Sequence, residues 1–299
     1  MKPKLIVIEG TTASSKSGLG VELAAHYGGE IISADSRQVF RGLDLGSGKI
    51  TPEEMNGVPH HLIDVVNPND FFSMHDFQKM AYEAIDDVIS RGKLPFLVGG
   101  TGLYAASVTE GYVMSEVEPD LEYRAYLETF ETPKLYEMLI ALRPDTDVEP
   151  RNRNRVMRLL EKIHDGDEGA SPNQPRYDCL KLGCTYDRPV LRDRIDERLK
   201  LRVELGMIEE VQRLLDEGAT VDFMIRLGLE YRFVTQHLIG EIPDRQEMLD
   251  LLATAIKQFA KRQMIWYRRD KDIRWLDMTA DPEAQAIAMI NEFLKRPSV

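Results

Sequence analysis

The amino-acid sequence predicts an α/β fold, a P-loop-containing parallel-sheet core with a helical insertion domain. Three observations predict it. Short apolar runs alternate with helical patterns through residues 4–100. A Gly/Ser/Thr-rich turn separates the first run from a helix, and residues 113–175 read as helical before strand character resumes.

The elements follow in order. Residues 4–9 (KLIVIE) read as a buried strand, and GTTASSKS leads into a helix starting near Lys16. GEIISA (29–34) is a second apolar run ending at Asp35, Ser36 and Arg37, and HHLIDVV (60–66) is a third. Ser73 with Asp76 forms a capping pair for a helix on which Phe77, Met80, Ala81, Ala84, Ile85, Val88 and Ile89 keep helical spacing. Arg91-Gly92 closes that helix before LPFLVGG (94–100), a fourth buried strand. Residues 113–175 are acidic, then basic, and end in the polar loop HDGDEGASPNQPRYD. CLKLGCTY (179–186) returns to strand. Helices are predicted over 190–217, 222–238 and 243–269, then a strand at 274–278 and a helix over 281–295. The division is a core of 1–112 together with 176–299, and an insertion of 113–175.

Composition narrows the classes. At 299 residues and 43% hydrophobic, the chain can bury a sizeable core. It has no run of about 18 apolar residues, so no membrane partner is expected. MKPKLIVIEG reads as a first core strand and not as a secretory signal. Cys179 and Cys184 lack a second metal-spaced pair and read as incidental thiols, which fits a reducing cytoplasm. A net charge of −12 opposes nucleic-acid binding unless basic residues are gathered locally.

The turn Gly10, Thr11, Thr12, Ala13, Ser14, Ser15, Lys16 and Ser17 has the context of a phosphate cradle, because a strand precedes it and a helix follows. Lys16 would place a point charge on terminal phosphates, and the Ser17 hydroxyl would ligate magnesium. Ser15 stands where such loops carry glycine, so its side chain would crowd the phosphates or require an unfavourable backbone angle. The bland alternative is an ordinary strand-to-helix turn with a surface lysine.

Further along, SADSRQVFRGLDLGSGKIT (33–51), GVPHHLIDVVNP (57–68), LVGGTGLY (97–104), RNRVMRLLE (153–161) and AKRQMIWYRRD (260–270) occur in that order. Each is weak alone, but together they resemble the tRNA dimethylallyltransferases along nearly the whole chain. The resemblance implies that dimethylallyl diphosphate sits on the phosphate loop. The N6 amine of adenosine 37, next to the tRNA anticodon, then attacks its terminal carbon while diphosphate leaves. Such a transfer needs the departing charge stabilised and the amine proton removed. Gly10 to Ser17 with Mg2+ would meet the first need, joined by Arg198, which matches a diphosphate-binding arginine. Asp35 matches the general base, at the carboxyl end of the second strand, where open α/β sheets bind ligands. Its bland alternative is a turn cap. Thr101 matches a threonine beside the reacting centre; with Lys16 and Asp35 it makes up the implied catalytic set.

The resemblance also implies the RNA contacts. Asp35, Ser36, Arg37, Gln38 and Thr101 would hold an adenosine extruded from the anticodon loop. Asn154, Arg155, Val156, Met157 and Arg158 match residues that grip the anticodon stem-loop, and Arg124 matches another contact. By residue type alone, Arg151, Arg153, Arg155 and Arg158 form a basic patch in an acidic chain, and a helix would put Arg151, Arg155 and Arg158 on one face. A second patch holds Lys257, Lys261, Arg262, Arg268, Arg269 and Lys271, with Trp266 expected in the core. The expected partners are the tRNA anticodon stem-loop and dimethylallyl diphosphate, acting on a cytoplasmic monomer.

Several positions depart from the resemblance besides Ser15. Thr11 replaces a proline, and LGLE (227–230) replaces an IGY followed by a basic residue. Ile256-Lys257 replaces Thr-Arg, Arg202 occupies an apolar position, and the insertion is short around 144–151. Three other readings stay open: an adenylate isopentenyltransferase using free AMP, a P-loop kinase of a small molecule, and a tRNA-binding paralogue without catalysis.

Overall fold

A computed structural model describes residues 2–113, 120–166 and 172–297. The chain divides into two compact units, Met1–Gly111 with Pro175–Val299, and Tyr112–Gln174. In chain order the first unit opens with β1 (Lys4–Gly10), α1 (Lys16–Tyr27), β2 (Glu30–Ser33), α2 (Pro52–Met55), β3 (His60–His61), α3 (Met74–Ser90), β4 (Pro95–Gly99) and α4 (Gly102–Thr109). The second unit holds α5 (Leu121–Glu128), α6 (Thr132–Leu142) and α7 (Arg153–His164). The first unit resumes with β5 (Asp178–Thr185), α8 (Arg188–Glu204), α9 (Met207–Asp216), α10 (Val221–Leu227), α11 (Leu229–Leu238), α12 (Arg245–Tyr267), β6 (Arg274–Asp277) and α13 (Pro282–Lys295).

The six described strands form one parallel sheet in the order β3-β2-β4-β1-β5-β6. Alternation along β1 serves both faces. Ile6 and Ile8 join the cluster of Leu19, Leu23 and Ile290, while Leu5 and Val7 join Phe77, Ile85 and Tyr104. A third cluster, with Leu43, Ile195, Met207, Tyr231 and Leu252, unites α8 to α12 with the chain after β2. In the second unit Leu127, Leu135, Leu139, Val156 and Leu160 pack on one another.

Ser73 and Asp76 form a complete capping box, each side chain accepting the other's amide hydrogen. Glu30, buried at the start of β2, accepts from Arg91, Lys93 and His61, and the Arg91 guanidinium above all holds its carboxyl far below the usual range.

Three expectations need correction. The third apolar run pairs with β2 only at His60–His61, because Leu62 and Asp64 turn to φ 63° and 56°, which ends the extended chain. The helix expected over 190–217 is two, parted at Gly206 (φ 99°), and that over 222–238 is also two, parted at Gly228 (φ 74°). Both breaks use left-side backbone angles that glycine adopts at little cost, within an uninterrupted amphipathic pattern. Among the described residues no helix is long and apolar enough to cross a membrane.

Candidate active site

Parallel strands deliver their carboxyl ends to one edge of the sheet, and β1, β2 and β4 each end there on a polar turn. The turn after β1 carries two non-glycine residues in the left-handed region, Ala13 at φ 59° and Ser15 at φ 63°. For residues with a Cβ that conformation costs about 1–2 kcal/mol each. Of this loop, Thr12, Lys16 and Ser17 line a cavity of 810 Å3, whereas Gly10, Thr11, Ala13, Ser14 and Ser15 are not part of its lining. Ser15 therefore does not crowd the cavity. Its hydroxyl turns outward and accepts from Arg194 Nη2 at 2.6 Å. The unfavourable backbone angle, by contrast, is present. Lys16 Nζ donates to the Thr11 carbonyl at 3.3 Å, and loss of hydration, with Arg198 beside it, pulls its ammonium down to about 8.

Asp35 follows β2. Its Oδ1 accepts the amide hydrogens of Arg37 at 2.9 Å and Gln38 at 3.3 Å, so it caps the turn. Among the described residues no donor reaches its other oxygen, and the residue lines the same cavity as Lys16. The capping role and the role of a base thus coexist on one carboxylate. Thr101 begins α4 after β4, and its Oγ1 accepts the Ser36 amide hydrogen at 3.1 Å while its own amide donates to Ala34 O at 3.2 Å. These bonds tie the ends of β2 and β4 together.

Arg198 of α8 lines the cavity and donates to Thr12 Oγ1. Burial, with Arg202 beside it, lowers its guanidinium to about 10. Glu230 on the cavity wall accepts from Arg37 at 3.1 Å and Arg202 at 3.4 Å. Arg37, expected to contact RNA, lines the cavity and is at the same time an ion-pair partner. Ser36 and Gln38 line the cavity as well.

Gln263 is a residue that the sequence reading missed. Its Oε1 accepts the Thr12 amide hydrogen at 2.8 Å, and its Nε2 donates to Gly100 O at 2.7 Å, so one side chain joins the two loops. The signal was its place inside AKRQMIWYRRD. Also missed was the aromatic wall of Phe40, Phe72, Phe223, Phe259 and Trp266. Trp266, expected in the core, is half-buried on this wall, and the buried residue is its neighbour Tyr267. A Cβ at Gly102 would fall 2.4 Å from the Trp266 ring, so glycine at 102 lets the indole lie against the turn. Lys257 pairs with Asp196 at 2.6 Å, while Lys261, Arg262, Arg268, Arg269 and Lys271 are exposed.

In the second unit Asn154, Arg155 and Arg158 are exposed on α7. Val156 and Met157 instead point inward as core residues, so their side chains hold the helix and do not face solvent. Arg151 precedes the helix and shares no helical face with Arg155, and Arg153 donates to the Phe130 and Glu128 carbonyls. Arg124 and Arg158 both approach buried Glu161, at 3.6 Å and 3.3 Å.

The sequence matches the family model for IPP transferase over residues 38–270 and that for isopentenyl transferase over residues 3–68. It is 43% identical over 293 residues to tRNA dimethylallyltransferase 1 of Geotalea daltonii, covering 96% of this chain and 95% of that one. With tRNA dimethylallyltransferase 2 of Shewanella sediminis the identity is 44% over 298 residues, covering 96% and 97%. The fold is similar to that of the full-length tRNA isopentenylpyrophosphate transferase from Bacillus halodurans, with TM-score 0.75, 37% identity and 98% and 96% of the chains covered. For a eukaryotic dimethylallyltransferase acting on tRNA, the values are TM-score 0.82, 26% identity and coverage of 99% and 81%.

Proposed function

The chain belongs to the IPP transferase family and is a tRNA-modifying prenyltransferase, and we propose that it moves a dimethylallyl group from dimethylallyl diphosphate to N6 of adenosine 37. One observation supports the assignment of roles: Lys16, Arg198, Asp35 and Thr101 line a single cavity at the carboxyl edge of the sheet. Its 810 Å3 lies within the range of about 300–1,000 Å3 that suits small-molecule sites.

In the transfer, the amine nitrogen forms a bond to the terminal isoprenoid carbon as that carbon's bond to oxygen breaks. Diphosphate leaves with the electron pair, and Lys16 and Arg198 offset the charge it gathers. The amine proton passes to the free oxygen of Asp35. Thr101, fixed by Ser36, orients the adenine, whose faces meet the aromatic wall. Magnesium suits this donor set, because it takes only one or two protein oxygens and relies on water and phosphate oxygens for the rest. The Ser17 hydroxyl on the cavity wall would hold it, and the ion would neutralise charge on the leaving diphosphate. Arg155 and Arg158 on α7 supply phosphate contacts for the anticodon stem-loop.

The test incubates purified protein with magnesium, dimethylallyl diphosphate and unmodified tRNA carrying A36-A37, then digests the RNA for mass analysis. N6-isopentenyladenosine is expected. Product from AMP but not from tRNA would move the acceptor to free nucleotide, and tRNA binding without product would identify a binding protein.

A further inference from the structure

Ser15, the odd letter of the phosphate loop, has partners of its own. Arg194 of α8 reaches the back of the loop, where Nε donates to the Ala13 carbonyl at 3.0 Å and Nη2 to Ser15 Oγ at 2.6 Å. These are the two loop residues held at left-handed angles. The guanidinium carbon lies 4.4 Å from the centroid of the Tyr186 ring, and the Tyr186 hydroxyl is 3.4 Å from Ser15 Oγ. Arg194 does not line the cavity, and among the described residues it makes no ion pair and its hydrogen bonds all go to the loop.

We propose that Arg194, stacked on Tyr186, is a positioning residue that locks Ala13 and Ser15 in the conformation that receives phosphate, with Ser15 as its point of attachment. The logic is preorganisation. A loop already in its bound shape loses less freedom when ligand arrives. Glycine at position 15 would adopt the angle without help, whereas serine has the backbone penalty and also supplies the oxygen that a clamp can hold. A guanidinium suits this task because its planar fork reaches two acceptors at once and its face stacks on an aromatic ring, neither of which an ammonium does as well. The inference rests on the reading that this loop binds a diphosphate.

The experiment is a double-mutant cycle in the full chain, with wild type, R194Q, S15G and R194Q/S15G. Binding of inorganic pyrophosphate with magnesium is measured by calorimetry, KM and kcat by transfer, and folding by thermal denaturation. R194Q is expected to weaken pyrophosphate roughly tenfold and to raise the donor KM in proportion, with kcat changed less than about twofold. In the S15G background the same substitution should cost about threefold or less. R194K should behave like R194Q if the fork matters and charge alone does not. Should R194Q fail to fold, Y186L takes its place, with the same expected dependence on Ser15. Equal costs in both backgrounds, or an effect on kcat alone, would overturn the clamp. A wild-type protein that does not bind pyrophosphate would defeat the reading of the loop and the clamp with it, whereas a binding wild type with uncoupled variants defeats the clamp alone.

Discussion

Arg202 Nη1 stands 3.4 Å from Glu230 Oε1, with both side chains almost closed to solvent, and the other Glu230 oxygen takes Arg37 Nη1 at 3.1 Å. Removing one member of a buried pair leaves a charge without its partner. Arg202→Met is expected to cost about 2 kcal/mol, moderated because Arg37 remains, and to lower Tm by about 5 °C. Thermal denaturation of the variant measures the loss.

Asp35 performs two tasks that substitution can separate. Asn keeps an oxygen to accept the Arg37 and Gln38 amide hydrogens but cannot take the amine proton. Asp35→Asn should reduce single-turnover transfer about 100-fold or more while pyrophosphate affinity stays within about twofold. Asp35→Ala should add a loss of stability, visible in Tm.

Lys16 sets a pH dependence. Its ammonium, lowered from 10.5 to about 8 by burial, is the form that attracts phosphate. Pyrophosphate affinity should therefore decline as pH rises through about 8, with a proton taken up on binding near that pH. Lys16→Met should bind weakly and without this slope. The effect on stability has the opposite sense. Between pH 8 and 10.5 the unfolded chain holds this proton more tightly than the native one, so Lys16's contribution to stability rises across that window and is least below it. Calorimetry in buffers of different ionisation enthalpy measures the proton uptake.

Gln263 spans the loops assigned to donor and acceptor. Gln263→Leu removes the partner of the Thr12 amide and of the Gly100 carbonyl in a buried setting, at about 1–3 kcal/mol of stability. Steady-state kinetics should show KM rising for both dimethylallyl diphosphate and tRNA. A rise for only one would show that the bridge serves a single loop.

Arg155 is exposed and, among the described residues, makes no ion pair, whereas Arg158 approaches Glu161. Arg155→Ala should weaken tRNA binding and lower the slope of log affinity against log salt by about one, with pyrophosphate binding unchanged. Titrations of tRNA at several salt concentrations measure the slope.

The sheet was legible in the sequence because each buried strand is a short apolar run beside a turn, and five of the six runs fold as read. The breaks at Gly206 and Gly228 were not legible, since hydrophobic spacing carries on across them and only the backbone angle changes. Lys16, Asp35, Thr101 and Arg198 were found through motifs and do meet at one cavity. Gln263 escaped, although it stands inside AKRQMIWYRRD, because its partners at Thr12 and Gly100 lie far away in sequence. Trp266 was misplaced because helical spacing tells which residues face inward but not whether a cavity lies there. Arg202 and Glu230 were visible only as two separate mismatches, and their pairing makes each understandable.

The placing of β5 affects how the protein can be made. β1 lies between β4 and β5, yet residues 178–185 leave the ribosome only after the whole of 112–174. Until then a nascent chain carries β1 with one bare edge, and Arg194, Arg198 and Gln263 do not yet exist to hold the turn that follows it. Synthesis that stalls in this interval leaves an unpaired strand open to foreign chains, so the interval is the one in which chaperone protection matters most.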